Sequence, residues 1–457
     1  MRAVDCWRHD AASVVKIGRA QAPSFGAELA RLFVGAWGCI LLAAIRDRLC
    51  PAPEQEQALR MHCDHARYVW NLAVEQQSWW WPGRGRAPGY VDQAHQLAQA
   101  RAAEPWLRGG SSSVQQQALR DFDLAMTAFF DPRNPAGKPG YRSKRHVRGF
   151  AIRDTKVRRL NGRWGEVYVP KCGWVRFRWT RPLPAGLGMA RVTCDRAGRW
   201  HVSFPAPQPA VAATGQGGGT GIDRGVRTAL VTSDGQHYRA PRISDRQAAR
   251  YLGLQRKLAR QHKGSRQRER TRRAMALIAA RTAGRRKDWA EKISTRLVAG
   301  NDLVVLEKLN IPGMTRKPAP KPGPDQPGAF LPNRARAKAG LSKAILASCW
   351  ATLGRRLAQK GAASGVSVLF ADPRFTSQQC HVCGHTQAQN RESQAVFRCQ
   401  GCGRHDHADR NAARNILARG LATLGGQVPA RAPGHGASRP RQPPASAGAA
   451  GTTRSAA

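Results

Sequence analysis

A change of hydrophobic period along the chain, four closely spaced thiols near its end and a large excess of basic residues predict a multidomain α+β protein. Residues 150–204 alternate apolar and polar side chains in short runs parted by Gly or Pro, the pattern of a small antiparallel β-module with Arg and Lys on its outer face. From Thr220 onward, short continuous apolar runs separated by helix-length segments predict a mixed α/β domain. A stretch rich in Gly, Ala and Pro, residues 206–219, reads as the linker between them.

Residues 1–38 carry no readable motif and are expected to be a poorly ordered extension. Residues 40–49 read as a strand and 51–54 as a turn and helix start. Residues 55–77 form an amphipathic helix with Leu59, Cys63, Ala66, Val69, Leu72 and Ala73 along one side. Ser111, Ser112 and Ser113 are candidate caps of a second helix that buries Leu119, Phe122, Leu124, Ala125, Ala128 and Phe129. The loop 132–148, rich in Gly, Pro, Lys and Arg, suits contact with phosphates. Past the linker come a hairpin over 222–232 and beyond, a very basic helical pair over 248–297, and a short buried strand at 303–306. A Pro-rich loop at 318–328, a helix over 342–360, a buried strand at 366–370 and a last helix over 409–424 follow. The tail 425–457 is Pro, Gly, Ala and Ser with too little apolar surface for a core, and is expected to be disordered.

The 457 residues carry 75 Lys and Arg against 29 Asp and Glu, a formal net charge of +46. Such a chain repels itself unless a polyanion neutralises it, so the expected partner is a nucleic acid, bound in a salt-sensitive way. A membrane is disfavoured because the basic residues are spread along the chain and the longest apolar stretch, residues 32–45, is short for a bilayer and holds Gly35 and Gly38. The first ten residues lack the ordered regions of a secretory signal, which predicts a cytoplasmic protein. Of the 11 cysteines, Cys6, Cys39, Cys50, Cys63, Cys172, Cys194 and Cys349 are scattered, as reduced thiols would be.

Cys380-x-x-Cys383 and Cys399-x-x-Cys402 have the spacing of a zinc ribbon, so one structural Zn²⁺ is expected there. Three acids stand at the edges of apolar strands or at a helix start: Asp223 in Gly221-Ile222-Asp223-Arg224-Gly225, Glu307 after the run 303–306, and Asp409 opening the last helix. Any one of them alone reads more readily as a turn or cap residue. Gathered together they call for a hard divalent cation, Mg²⁺ or Mn²⁺, and two such ions can align a water and stabilise the leaving oxygen of a phosphodiester. A strand acid, a second-strand acid and a late helical acid, in that order, follow the plan of RNase H-like nucleases.

Here the chain resembles a known family. Residues 221–235, 304–314, and 376–380 through 409–416 look like the three RuvC-type motifs and the zinc ribbon of the TnpB (OrfB) family of transposon-encoded proteins, relatives of the compact type V CRISPR effectors. Residues 46–55 with 66–71, and 112–123, resemble that family's N-terminal segments, so the likeness spans about residues 40–420. It implies an N-terminal barrel-like (wedge) module, 39–205, with a helical REC-type insert at about 51–148, then a RuvC/RNase H-like nuclease domain, 220–424, with the zinc ribbon 376–406 inserted. It further implies an RNA-guided DNA endonuclease of a transposable element, nucleoid-associated in a prokaryote, with a guide RNA from the transposon end and duplex target DNA beside a short flanking motif. The chain would act as a monomer or homodimer. Asp223, Glu307 and Asp409 become the metal-binding catalytic acids, holding two Mg²⁺ or Mn²⁺ ions, and the four cysteines the Zn²⁺ ligands. Arg224 and Lys308 depart from the family's usual neighbours of the first two acids without removing a carboxylate, though their charges would weaken or tune metal binding.

Other readings stand beside this one. A silent RNA-guided DNA binder and a guide-independent accessory of transposition share the charge and the thiols. His405-Asp406-His407 superficially resembles the histidine pair of single-strand transposases, but Tyr68, Tyr90, Tyr141, Tyr168, Tyr238 and Tyr251 all lie far upstream. Asp406 and His407 fit a supporting or substrate-positioning role better. The basic helices at 256–286 suit a channel wall for an RNA–DNA duplex held by its backbone. Trp79, Trp80 and Trp81 suit either base stacking or an apolar cluster beneath a loop.

Overall fold

The computed structural model describes residues 42–431, apart from 82, 84, 135, 145–147, 215, 216 and 324–329. The expected extension at 1–38 and all of the tail beyond 431 lie outside the described residues, but the tail's first residues, 425–431, are ordered, with Arg431 donating to Ser364 O at 2.9 Å and Val211 O at 2.8 Å. β1 (Leu42–Leu49) leads into the helices α1 (Pro53–Ser78), α2 (Tyr90–Ala103), α3 (Pro105–Gly109) and α4 (Ser112–Phe130). Six strands follow: β2 (Gly149–Ile152), β3 (Val157–Arg159), β4 (Trp164–Val169), β5 (Gly173–Arg178), β6 (Ala190–Cys194) and β7 (Trp200–Pro207). Together they make one antiparallel sheet in the order β2-β6-β7-β1-β5-β4-β3. Because side chains alternate across a strand, Val192, Val202, Phe204, Val175 and Phe177 all point to one face, where they pack on Leu59, Val69, Ala73, Leu119 and Phe122 of α1 and α4.

Ser111 caps α4 as its residue type suggests, accepting a hydrogen bond from the Val114 amide. Leu124 does not join the core: it is 65% exposed. It lies two residues past buried Phe122, about 200° round the helix, and so faces water. The helices α2 and α3 escape sequence reading because their flanking residues, Gly89 and Glu104, provide no side-chain cap to announce them. Trp79, Trp80 and Trp81 lie at the surface, with the Trp80 indole N–H donating to Gly85 O at 2.6 Å.

The second sheet is built on β8 (Gly219–Asp223), β9 (Leu230–Thr232), β10 (His237–Tyr238), β11 (Leu303–Glu307) and β14 (Ser367–Ala371), ordered β10-β9-β8-β11-β14. β11 runs parallel to both β8 and β14. Between β10 and β11 lie the basic helices α5 (Asp245–Arg260) and α6 (Arg266–Gly300); between β11 and β14 lie α7 (Ile311–Met314), a two-stranded ribbon β12 (Lys321–Pro322) and β13 (Phe330–Leu331), α8 (Ala335–Ala347) and α9 (Trp350–Ser364). Beyond β14 come a small hairpin, β15 (Val396–Arg398) and β16 (His405–His407), and the helix α10 (Ala408–Thr423).

Two sequence expectations change. Residues 342–360 are not one helix: the chain breaks at Ser348 and Cys349, where Cys349 takes a φ of 61° and Trp350 swings in to donate its indole N–H to Ala229 O at 3.2 Å. The strand expected to be buried at 366–370 is an edge strand, and Phe370 is 47% exposed.

β11 is buried on both faces, as a central parallel strand must be. Val304 and Leu306 pack with Ile222, Leu297, Val298, Leu353 and Leu357 on the side of α6 and α9, while Leu303 and Val305 pack with Ile416 of α10. Parity then puts Gly221, Asp223 and Glu307 on the α10 side. Gly221 matters here because a Cβ on it would stand 2.1 Å from Ala413 O and 2.6 Å from Leu417 N. The helix backbone lies directly on the strand.

Gly221→Ala should therefore cost about 1–3 kcal/mol of stability by overpacking, read by denaturant unfolding. Gly253→Ala, where open space surrounds the helical glycine, should gain up to about 1 kcal/mol. A pH effect comes from the other domain. Burial, with Arg46, Arg48 and Arg199 outweighing Asp195, pushes the His201 imidazole down to about 4, and its Nδ1 faces the Arg46 guanidinium at 3.1 Å. The unfolded chain binds this proton first, so stability should fall as pH drops from about 6.5 to about 4. His201→Gln should flatten that part of a thermal-melting profile.

Candidate carboxylate and metal centre

The four cysteines sit on two matching turns. In each, the amide of the glycine after the second cysteine bonds back to the first cysteine's carbonyl, Gly384 to Cys380 and Gly403 to Cys399, both at 3.0 Å. Both glycines take positive φ, 76° and 70°, which only glycine adopts without strain. The turns face each other, with Cys380 Sγ 3.8 Å from Cys402 Sγ and Cys383 Sγ 3.5 Å from Cys399 Sγ. All four sulfurs lie within 4.8 Å of one another. Tetrahedral Zn–S bonds of ~2.3 Å require sulfurs ~3.8 Å apart, so this donor set fits one Zn²⁺.

Helix α10 is clamped to this module by polar side chains. Asn411 donates to Gln379 O at 2.8 Å and accepts from the His381 amide at 3.1 Å; Asn415 donates to Thr376 O at 2.8 Å and Gln379 O at 2.6 Å. Asp406, its carboxylate fully buried, receives Arg410 Nε at 2.6 Å and Arg414 at 3.0 Å. Burial opposes its charge, but these arginines and the His407 amide hold the carboxyl below its ordinary range. His407 caps α10, its Nδ1 accepting the Asp409 amide at 3.3 Å. That is the supporting role its position suggests.

The three acids stand at the C-terminal edge of β8 and β11 and the start of α10. Burial, and then the carboxylates of Glu307 and Asp409, raise Asp223 to about 8; Arg391 pulls the other way. Burial also raises Glu307, opposed by Arg224 and by Thr376, whose hydroxyl reaches Oε1 at 3.3 Å. Arg391 holds Asp409 Oδ1 at 3.1 Å. Arg224, buried, donates to the Glu307 carbonyl, while Lys308 is exposed. Among the described residues, only the four cysteines are drawn together tightly enough to hold an ion as they stand. The carboxylates are coupled but more open. An all-oxygen set that a shared positive charge would relieve fits a hard divalent cation.

A cleft of ≈ 730 Å³ opens beside Asp409, lined by Arg227, Arg239, Arg242, His237 and His407. Sequence reading misses these arginines, and also Thr376, Arg391, Asn411 and Asn415. Asn411 and Asn415 do leave a signal, two amides one turn apart on an Ala-rich helix. Arg391 leaves none, since its pairing depends on how the thiol module folds.

The sequence is similar to known proteins. Three family models match successive segments: the helix-turn-helix domain of the OrfB_IS605 proteins at residues 41–86, OrfB_IS605, described as "Probable transposase", at 207–317, and "Cas12f1-like, TNB domain" at 350–416. The chain is 31% identical to "Putative RNA-guided DNA endonuclease InsQ" of Escherichia coli (strain K12), over 84% of this chain and 93% of that one. It is 32% identical to a "Putative RNA-guided DNA endonuclease" of Streptomyces pristinaespiralis, over 83% and 89%. A solved Cas12f1–sgRNA–target DNA complex overlays 80% of this chain and 83% of its own at 14% identity, with a TM-score of 0.47. The sequence matches define a class of transposon-encoded proteins. Within it, the chain belongs to the TnpB (OrfB) family.

Removing the clamp should loosen the thiol module. Asn415→Ala leaves the Thr376 carbonyl unpaired, while Asn411 still holds Gln379 O, and should cost about 1–3 kcal/mol, seen as faster zinc loss to a chelator in a colorimetric assay, from a starting stoichiometry of one Zn²⁺ per chain.

Proposed function

We propose that this chain is an RNA-guided DNA endonuclease of an IS605-type element, hydrolysing duplex DNA at one carboxylate centre. The observation that carries the reading is the convergence of Asp223, Glu307 and Asp409: strand parity turns the first two toward α10, and the electrostatic coupling of Asp223 to both others marks them as neighbours. Sequence similarity over most of both curated relatives, each named for this activity, supports it.

Asp223, Glu307 and Asp409 would hold two Mg²⁺ or Mn²⁺ ions. When bound, such ions supply activation of the attacking water and stabilisation of the leaving oxygen, giving a 3′-hydroxyl and a 5′-phosphate. The carboxylates act as ligands and not as nucleophiles. Thr376 fixes the rotamer of Glu307, and Arg391 restrains Asp409 until a stronger positive charge competes for it. Arg227, Arg239 and Arg242 line the approach to Asp409, where they would receive the phosphates of the strand being cut. The four cysteines and one Zn²⁺, in a ribbon at 376–406, set the position of α10 through Asn411 and Asn415. The N-terminal sheet with its helices would grip guide RNA and flanking DNA. Its outer face stacks Arg158 on Trp174 at 4.4 Å and Arg178 on Trp164 at 4.3 Å, cations and rings together.

Asp223→Ala should lower Mg²⁺-dependent cleavage of a duplex matching the co-purified RNA by ~10²-fold or more while leaving DNA binding in place. Equal cleavage by the variant, or a purified chain that carries no discrete RNA, rules the proposal out.

A further inference from the structure

At the C-terminal end of β14 lies a second cleft, of ≈ 490 Å³, whose walls include Phe370, Phe375, Arg374 and Arg419. Two features of Phe375 are at odds with a purely structural role. The residue is 60% exposed, so it adds little to the core, and its backbone has a φ of 60°, a region that a bulky side chain rarely adopts. A glycine would fold there more easily.

The strained geometry is held from several directions. The amides of Gln378 and Gln379 bond to Phe375 O at 3.0 and 2.9 Å. Arg419 reaches across to Asp372 O at 2.8 Å, Arg374 O at 2.6 Å and Gln379 Oε1 at 3.0 Å. The next residue in the chain is Thr376, buried and hydrogen-bonded to the Glu307 carboxylate. The ring is thus presented one residue from a group of the carboxylate centre, with Phe370 on the neighbouring edge strand also exposed.

We propose that Phe375, with Phe370 beside it, stacks an unpaired nucleobase of the strand being cut and so positions the phosphodiester at the carboxylates. This rests on the nuclease reading above. A nucleobase suits the site better than an apolar protein segment because the cleft is small and walled by Arg419 and by Arg374, 79% exposed though paired with Asp372, on a chain of net charge +46. Stacking is also indifferent to sequence, as a guide-directed enzyme needs, since every base has a π-face. Phe375 is a positioning residue: it touches the substrate's base and acts on the reacting phosphate through the strand.

The test uses the full chain with its co-purified RNA and a matching duplex in which single 2-aminopurines are moved along each strand. In the cleavage-blocked Asp223→Ala background, one or two adjacent positions should be quenched, and adding Phe375→Ala should abolish that quenching while Phe375→Trp keeps it. With Asp223 intact, Phe375→Ala should cut roughly tenfold more slowly, and Phe375→Tyr near the native rate. Phe375→Gly should melt no lower than the native chain yet cut as slowly as Phe375→Ala, which separates stacking from folding. Unchanged quenching and cleavage in Phe375→Ala overturn the stacking role while leaving the nuclease reading intact. A change in sedimentation from dimer to monomer with unchanged quenching overturns it in favour of a second copy seated on these rings. A native chain that fails to cut overturns both.

Discussion

Backbone contact between one helix and one strand governs the C-terminal domain. At Gly221, α10 approaches β8 so closely that a single methyl group would overlap the carbonyl of Ala413. A second close approach, to a side chain of the neighbouring β11, lies further along the helix, where a Cβ on Gly420 would stand 2.3 Å from Val305 Cγ2. Ala412, Ala413 and Ile416 are fully buried between these points. Small residues on both partners bring the helix axis near the sheet, and the first turn of α10, carrying Asp409, comes to rest over the ends of β8 and β11.

Close packing sets distance but not rotation, and the polar clamp supplies that. Asn411 and Asn415 each satisfy backbone groups of the segment leading into the first thiol turn, while Arg410 and Arg414 converge on the buried Asp406. Buried polar groups of this kind contribute little net energy when satisfied and cost a great deal when one partner is lost. They therefore specify one orientation of the helix more than they stabilise it. Among the described residues the thiol module buries only a small cluster, Cys380, Phe397, Cys399 and Ala408, and its four-sulfur set fits a Zn²⁺ whose bonds would add to that core.

Much of this architecture is legible in the residues themselves. The alternation in β6 and β7, the continuous apolar run of β11, the cap at Ser111 and the thiol spacing each carry a local signal, and each element forms there. The misjudged positions are those where tertiary context decides. Phe370 belongs to a run that reads as buried because its sequence matches a central strand, yet sheet order leaves that strand at the edge. The break at Cys349 has no Pro or Gly to mark it; it follows from anchoring Trp350 against Ala229. At the candidate site, the settings of the three acids single them out, but nothing comparable singles out Arg391 and Thr376. Their contacts join segments far apart in sequence, and neither has a pattern that periodicity can reveal.

Charge gives the last constraint. The domain buries Glu307, keeps Asp223 half-buried beside it and brings Asp409 near, in a chain otherwise so basic that most carboxylates find an arginine at once. Among the described residues no cation forms an ion pair with Asp223, and its carboxyl is pushed to about 8. Arg224, its neighbour in sequence, turns its guanidinium to the Glu307 carbonyl instead of the Asp223 carboxylate. That a fold with 75 cationic side chains leaves this acid without an ion pair among the described residues supports the proposal that positive charge is brought to the three carboxylates from outside.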